Sequence, residues 1–164
     1  MNRTLLVMIF LLIGIGCMKT ARVEIGFNDE GAVSIPGDVV LWVTEIEFPL
    51  GNTLWRGYQP ITIPINSSGF ISATGTYYEI EPGYYRVARV AVDSVRYSND
   101  TVSTLLIERP YRFGICTPYP IYFDDKEVRL VISIRTDKWL DFDEAEVKFG
   151  SYPFDGAQLN IYYQ

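Results

Sequence analysis

The sequence predicts an all-β domain, a single antiparallel β-sandwich of about eight or nine strands. Three observations predict it. Apolar and polar residues alternate with period two, most cleanly in Glu127–Thr136, where Val128, Leu130, Ile132 and Ile134 point one way and Glu127, Arg129, Ser133 and Arg135 the other. Clusters of Pro, Gly, Asn and Asp separate such runs at short intervals. No stretch sustains the 3.6-residue repeat of an amphipathic helix.

In chain order, Val23, Ile25 and Phe27 alternate as in a first strand, followed by turns at Asn28–Gly31 and Ile35–Gly37. Asp38–Phe48 reads as a strand with Val40, Trp42, Thr44, Ile46 and Phe48 on one face. Its other face begins apolar (Val39, Leu41, Val43) and ends polar (Glu45, Glu47), as if the strand were buried on both sides only at its start. Pro49–Asn52 is turn-like. Leu54–Ile65 carries Pro60 and Pro64, which cannot donate to a ladder, so it reads as an edge strand. Phe70–Ile80 is a weaker strand with a bulge at Gly75. Pro82-Gly83 reads as a type II turn with Gly83 at positive φ. It opens Tyr84–Tyr97, the most strand-like run in the chain and long enough to require a bend near Ala91–Ser94. Arg86 and Arg89 fall on opposite faces by parity. Ser98–Asp100 is a hairpin turn and Thr101–Glu108 the returning strand. Arg109–Pro120 reads as irregular because of its prolines, with a short strand at Ile121–Phe123. After Glu127–Thr136 come a polar connection over Asp137–Ala145, a short strand at Glu146–Phe149 and a last one at Ala157–Tyr163.

The chain has 164 residues, 48% of them apolar and 15% aromatic, which is a globular composition with enough apolar surface for one core. Its net charge of −6 and lack of a basic tract argue against nucleic acid as a partner. There is no His, which removes Ser-His-Asp and Cys-His catalysis and His-ligated metals. No Gly-rich phosphate loop leads from a strand into a helix. The expectation is a protein that is not an enzyme and holds no cofactor.

Residues 1–16 read as a targeting segment: Arg3, an apolar run over Thr4–Ile15, then Gly16-Cys17. The run is short for a bilayer span. The layout resembles a bacterial lipoprotein signal, cleaved before a cysteine that takes the lipid, so Cys17 is the candidate lipidation site. A plain secretory signal and an uncleaved anchor are the alternatives, and all three put the folded part outside the cytoplasm. Residues 17–21 are then a short tether and 22–164 the domain. Cys116 reads as a small packed residue; if Cys17 carries no lipid, a Cys17–Cys116 disulfide is conceivable in an oxidising compartment.

Two sets of residues are candidates for binding. Asp141, Asp143 and Glu144 crowd one stretch, but the glycine and spacing of an EF-hand loop are absent, so a solvated connection is expected and no specific metal. The chain has twelve Tyr, and Tyr84, Tyr85, Tyr119 and Tyr122 are the rings that could stack on a sugar or anchor a protein interface. The function classes left open are a cell-envelope lipoprotein whose sandwich binds or packs against envelope proteins or glycans, and a secreted carbohydrate-binding module.

The pieces also carry a family resemblance. Asp38–Glu47, Trp55, Pro82–Val90 and Asp141-Phe142-Asp143 follow in an order that resembles an uncharacterised domain of bacterial and archaeal lipoproteins with a prealbumin-like (carboxypeptidase-regulatory-like) sandwich. Gly83, Tyr85 and Arg89 match that domain's Gly-x-Tyr-x-x-x-Arg strand, and Asp141–Asp143 its later Asp-Phe-Asp. The resemblance implies the fold and a lipid-anchored location. It implies no activity.

Overall fold

The long run singled out by the sequence is the strand around which one sheet is laid. β6 (Gly83–Ser98) is the longest strand of the computed structural model, which describes residues 20–32, 35–48, 52–124 and 126–163. One edge of β6 pairs with β2 (Asp38–Phe48), and β2 with β3 (Asn52–Pro64). Its other edge is shared: β8 (Tyr111–Phe123) runs along Gly83–Val92 and β7 (Ser103–Ile107) along Val95–Ser98. All pairs in this sheet are antiparallel. The second sheet is centred on β1 (Ala21–Asp29) and β9 (Glu127–Ile134), with β12 (Gln158–Tyr163) beside β9. The free edge of β1 takes two short strands, β4 (Ile71–Ser72) and β5 (Tyr78–Ile80). A helical turn, α1 (Thr136–Trp139), and a small ladder of β10 (Leu140–Asp141) with β11 (Glu146–Val147) complete the described residues. The leader, Cys17 and the Pro49–Gly51 part of a turn lie outside them.

The molecule is therefore nearly all β, as the alternation requires, but not purely antiparallel. β1 and β9 run parallel, Val23 opposite Val128, Ile25 opposite Leu130 and Phe27 opposite Ile132. Side-chain alternation fixes which face of a strand is buried and carries no information about its direction. The six residues just named are buried to 1% exposure or less. Each buried aliphatic side chain contributes roughly 1.5–3 kcal/mol. Both sheets contribute to one apolar cluster, with Trp139, Tyr97, Phe27, Phe48 and Phe123 its largest fully buried members. The strand tally also exceeds the expectation: Phe70–Ile80 is cut into β4 and β5 around Gly75, whose φ is +65°, and β10 falls in the stretch read as a polar connection.

Bulges decide which side chains face the core. In β2, Val39, Leu41 and Val43 are buried, and so are Ile46 and Phe48. Pairing with β3 and with β6 slips between Val43 and Glu45, which shifts the alternation by one residue. So β2 has a single core face throughout, and Glu45 and Glu47 lie on the outer face with Trp42. β6 slips against β2 at Val92–Ser94, within the stretch where a bend was expected. A second slip, between Tyr85 and Val87, resets parity again, so Arg86 and Arg89 are both exposed rather than on opposite faces.

Two sequence expectations are corrected by pairing. Tyr111–Phe123 is one strand, not an irregular segment. Its prolines are tolerated because Thr117–Pro120 bulges away from β6 between the pairs Val87–Cys116 and Tyr85–Ile121, where no ladder donor is needed. Thr117 Oγ1 takes up the Arg86 carbonyl there at 3.3 Å. Gly83 is not a positive-φ residue: it opens β6 opposite Phe123, and a β-carbon on it would meet only Tyr85 Cε2 at 3.7 Å, an ordinary contact.

The buried polar residues among those described are Asn28, Asp29, Glu45, Ser133 and Thr136, and all but Glu45 meet at one corner. Asp29 is the hub. Its Oδ1 accepts from the Gly31 N–H (3.0 Å) and the Thr136 N–H (3.1 Å). Its Oδ2 accepts from the Asn66 N–H (2.8 Å) and the Thr136 hydroxyl (2.6 Å). One carboxylate thus ties the end of β1, the loop after β3 and the entry to α1.

Two stability outcomes follow from these contacts. Asp29→Ala strands several buried donors and is expected to lose about 3 kcal/mol or more in urea unfolding, a loss Asp29→Asn only partly avoids. A loss below about 1 kcal/mol would show that the corner closes without the carboxylate. Gly83→Val, by contrast, is expected to stay within about 0.5 kcal/mol of wild type, because extended backbone suits a β-branched side chain.

Candidate functional site

The outer face of the β6 sheet gathers most of the side chains to which a role can be given. A row crosses four strands: Arg56 on β3 opposes Glu45 on β2, Glu45 opposes Ala91 on β6, and Ala91 opposes Arg112 on β8. The small Ala91 lets Arg112 reach over it. Arg56 Nη2 donates to Glu45 Oε1 at 2.5 Å and Arg112 Nη2 to Oε2 at 2.7 Å. Arg89 Nη1 lies 3.5 Å from Glu47 Oε1, and Arg112 Nη1 3.8 Å from the same oxygen. Glu45 is only 8% exposed although it faces outward, because the two guanidinium groups cover it. The Arg56 hydrogen bond holds its carboxyl below the usual glutamate range; burial works against this, and the charges of Arg56 and Arg112 assist. Further along the face, the Tyr58 hydroxyl donates to Asp93 Oδ2 at 3.1 Å, which raises the phenol's pKa, and its ring centroid lies 5.0 Å from that of Trp42.

A shallow cavity of about 400 Å³ opens beside this row, lined by Thr44, Glu45, Arg56, Ala91, Tyr111 and Arg112 among others. Its chemistry is that of a braced surface. Glu45 is ionised and hydrogen-bonded at both oxygens, so it is a poor proton acceptor. The neighbouring Thr44 hydroxyl donates to the Ala91 carbonyl at 3.2 Å, and the chain contains no histidine. The parity shift in β2 is what hid this row from the sequence, which read Glu45 as the polar end of a strand.

The four tyrosines nominated by the sequence separate. Tyr84 and Tyr122 oppose one another across β6 and β8, ring centroids 4.8 Å apart and tilted 44°, both exposed. Tyr119 rides on the Thr117–Pro120 bulge at 80% exposure. Tyr85 is a core residue instead: it packs on Phe48 and Phe123 at 4.8 and 5.4 Å, and its hydroxyl donates to the Glu81 carbonyl at 2.7 Å. The strand pleat sends alternate residues to opposite faces, so Tyr84 and Tyr85 could not both be exposed. Cys116 is exposed on β8 rather than packed, because its neighbour Ile115 takes the core position.

Asp141, Asp143 and Glu144 form a turn rather than an open cluster. Asp141 Oδ1 accepts from the backbone N–H groups of Asp143 (3.0 Å) and Glu144 (3.3 Å). Leu140 and Phe142 alternate with them, Leu140 buried and Phe142 edge-on to Tyr97 at 6.0 Å. Among the described residues no three His, Cys, Asp or Glu side chains converge as a metal would require. None of those residues forms a helix long and apolar enough to cross a membrane. No protein-family model matches the chain, and neither a curated protein nor a solved structure matches it significantly.

The Glu45 brace has a pH signature. A carboxyl lowered in the folded state contributes stability above its unfolded pKa, about 4.3, and loses it as pH falls through the folded value. Arg56 and Arg112 are mostly exposed, so the contribution is small, about 1 kcal/mol or less. Glu45→Gln is expected to lower Tm at pH 7, with the gap to wild type closing below about pH 4. A gap unchanged between pH 7 and pH 3 would mean that the carboxylate's charge contributes nothing to the brace.

Proposed function

We propose that this chain is a non-enzymatic cell-envelope protein, held to the membrane by lipid on Cys17, whose β-sandwich serves as a binding or structural module. The two sheets around one core are read here as a sandwich of the prealbumin-like kind. The position of the exposed tyrosines relative to the tether carries the anchored reading. Cys17 is four residues from Ala21, so a lipid there lies within about 14 Å of the start of β1. Ala21 pairs with Ile80, three residues before Gly83, and Gly83 pairs with Phe123. Tyr84 and Tyr122 therefore belong to the same end of the domain as the tether, with Tyr119 close by in sequence. Tyrosine, apolar in the ring and polar at the hydroxyl, suits the boundary between headgroups and water. The engaged carboxylates of the outer face and the missing histidine support a module without catalysis.

The protein recovered from cell membranes is expected to begin at a lipid-modified Cys17 by mass spectrometry, and Cys17→Ala to leave the membrane fraction. An unmodified N-terminus beginning after Cys17 would overturn the anchored reading in favour of a secreted module.

A further inference from the structure

The outer face of the β6 sheet carries its charges in two layers. The carboxylates lie beneath: the side chains of Glu45 and Glu47 are 11% and 17% exposed. The guanidinium groups lie on top: the side chains of Arg56, Arg112 and Arg89 are 73%, 57% and 51% exposed. Such pairs are balanced in charge but not in what they present, because an approaching surface meets the cation first. Arg86, exposed on the same face, makes no ion pair among the described residues. From the Tyr84–Tyr122 pair to the row through Ala91, about 23 Å along β6, the face therefore sets four arginines against two shielded glutamates. Beyond Ala91 the character changes, for Asp93 and Asp38 stand there, Asp38 opposite Ser98. The positive half is the half that carries Tyr84 and Tyr122, nearer the tether.

We propose that this half-face rests on anionic lipid headgroups, so that the tethered domain lies with its β6 sheet against the membrane. The inference rests on the reading of the chain as lipid-anchored. Each guanidinium carries five N–H donors, and the hydrogen bonds to Glu45 leave most of those of Arg56 and Arg112 for phosphate oxygens. Tyr84 and Tyr122, exposed on the same face, supply rings suited to the headgroup boundary.

The acids elsewhere in the chain decide the orientation. Glu79 and Glu81, both exposed, flank Ile80, which pairs with Ala21 at the tether end of the other sheet. Contact through that end would bring them to the phosphates, whereas contact through the β6 face does not. Glu24 and the other acids of the β1 sheet stand behind a sheet spacing of about 10 Å. That exceeds the screening length of about 8 Å at physiological salt, so the net charge of −6 does not cancel the local field. An arginine close to an anionic leaflet favours contact about fivefold. Two in surplus hold a free protein weakly, but they are enough to orient one that its lipid already keeps at the surface. That tether is also why the occupant is lipid rather than a soluble acidic protein.

The test uses the protein purified from membranes and reconstituted in phosphatidylcholine vesicles, with or without phosphatidylglycerol. Its arginines are labelled with phenylglyoxal and read by mass spectrometry. With phosphatidylglycerol, labelling of Arg86, Arg89 and Arg112 is expected to slow about fivefold or more. Arg96, on the far half, and Arg22, on the other sheet, are expected to keep their rates. High salt is expected to remove the difference. Arg86→Glu, at an exposed side chain without an ion pair, is expected to abolish most of the slowing at Arg112 with Tm unchanged. No slowing overturns the proposal, as does slowing that is equal in neutral vesicles or that includes Arg22. Slowing by soluble polyglutamate as great as by the vesicles would assign the face to an acidic partner and overturn it too. Lipid on Cys17 without slowing would remove the face proposal and leave the anchored reading standing. If the protein carries no lipid, its sedimentation with phosphatidylglycerol vesicles at low salt decides. Binding that is lost with Arg86→Glu keeps the face proposal while the anchored reading falls, and no binding removes both.

Discussion

Much of the structure depends on keeping the Asp29 carboxylate satisfied. A buried carboxylate is tolerated only when its lone pairs are filled, and here backbone and hydroxyl donors from three separate segments fill them. The Asp29 N–H in turn donates to the Ser67 carbonyl at 3.0 Å, so the loop after β3 is fastened from both sides. That loop leads to Phe70, whose ring lies over Gly26 on the outer face of the β1 sheet. The same carboxylate fixes Thr136, from which α1 turns the chain so that Trp139 enters the core, 5.5 Å from Phe154. Arg135 lies close by, bonded through Nε and Nη2 to Asp137 at 3.0 Å each. Its pKa is raised first by that bond, with the charges of Asp137, Glu30 and Asp29 adding to the effect.

The two outer faces answer to different rules. On the β6 sheet the charged side chains are matched across strands, and the geometry of matching comes from one small residue, Ala91, and one bulge, at Val43–Glu45. On the β1 sheet the outer face is partly buried: Val131, opposite Gly26 where the Phe70 ring lies, is 2% exposed, and Ser133, bonded to Glu30 and Asn160, is 1% exposed. A covered face differs physically from one that is braced by exposed ion pairs. The first excludes water and makes a single hydrogen bond valuable; the second is screened, and each pair contributes little.

Phe154 illustrates the other closing device of the fold. Its φ of +71° is unusual for a bulky residue, yet the ring is stacked on Phe113 with centroids 3.8 Å apart and an interplanar angle of 14°. Aromatic packing between the β8 edge and the chain after β11 outweighs the local backbone cost, on the order of 1–3 kcal/mol for such conformations.

The sequence by itself determined the β class, the single core and most of its members, because alternation reports burial directly: Val23, Ile25, Phe27, Val128, Leu130, Ile132 and Ile134 are buried as their spacing requires. It also determined that Leu54–Ile65 would run at an edge, since Pro60 and Pro64 cannot donate there, and that Tyr84–Tyr97 was too long to run without a bend; that the irregularity at Val92–Ser94 is a register slip came from the pairing. Only the tertiary structure decided what depends on pairing. Strand direction put β9 parallel to β1. Register slips chose the side on which Glu45, Tyr85 and Arg86 would lie. Contacts between residues a hundred positions apart joined Asp29 to Thr136 and Glu24 to Arg129. Period-two patterning is a property of one strand and resets at every bulge. The site on the outer face of the β6 sheet is built from several strands at once, so no local pattern in the chain could have assembled it.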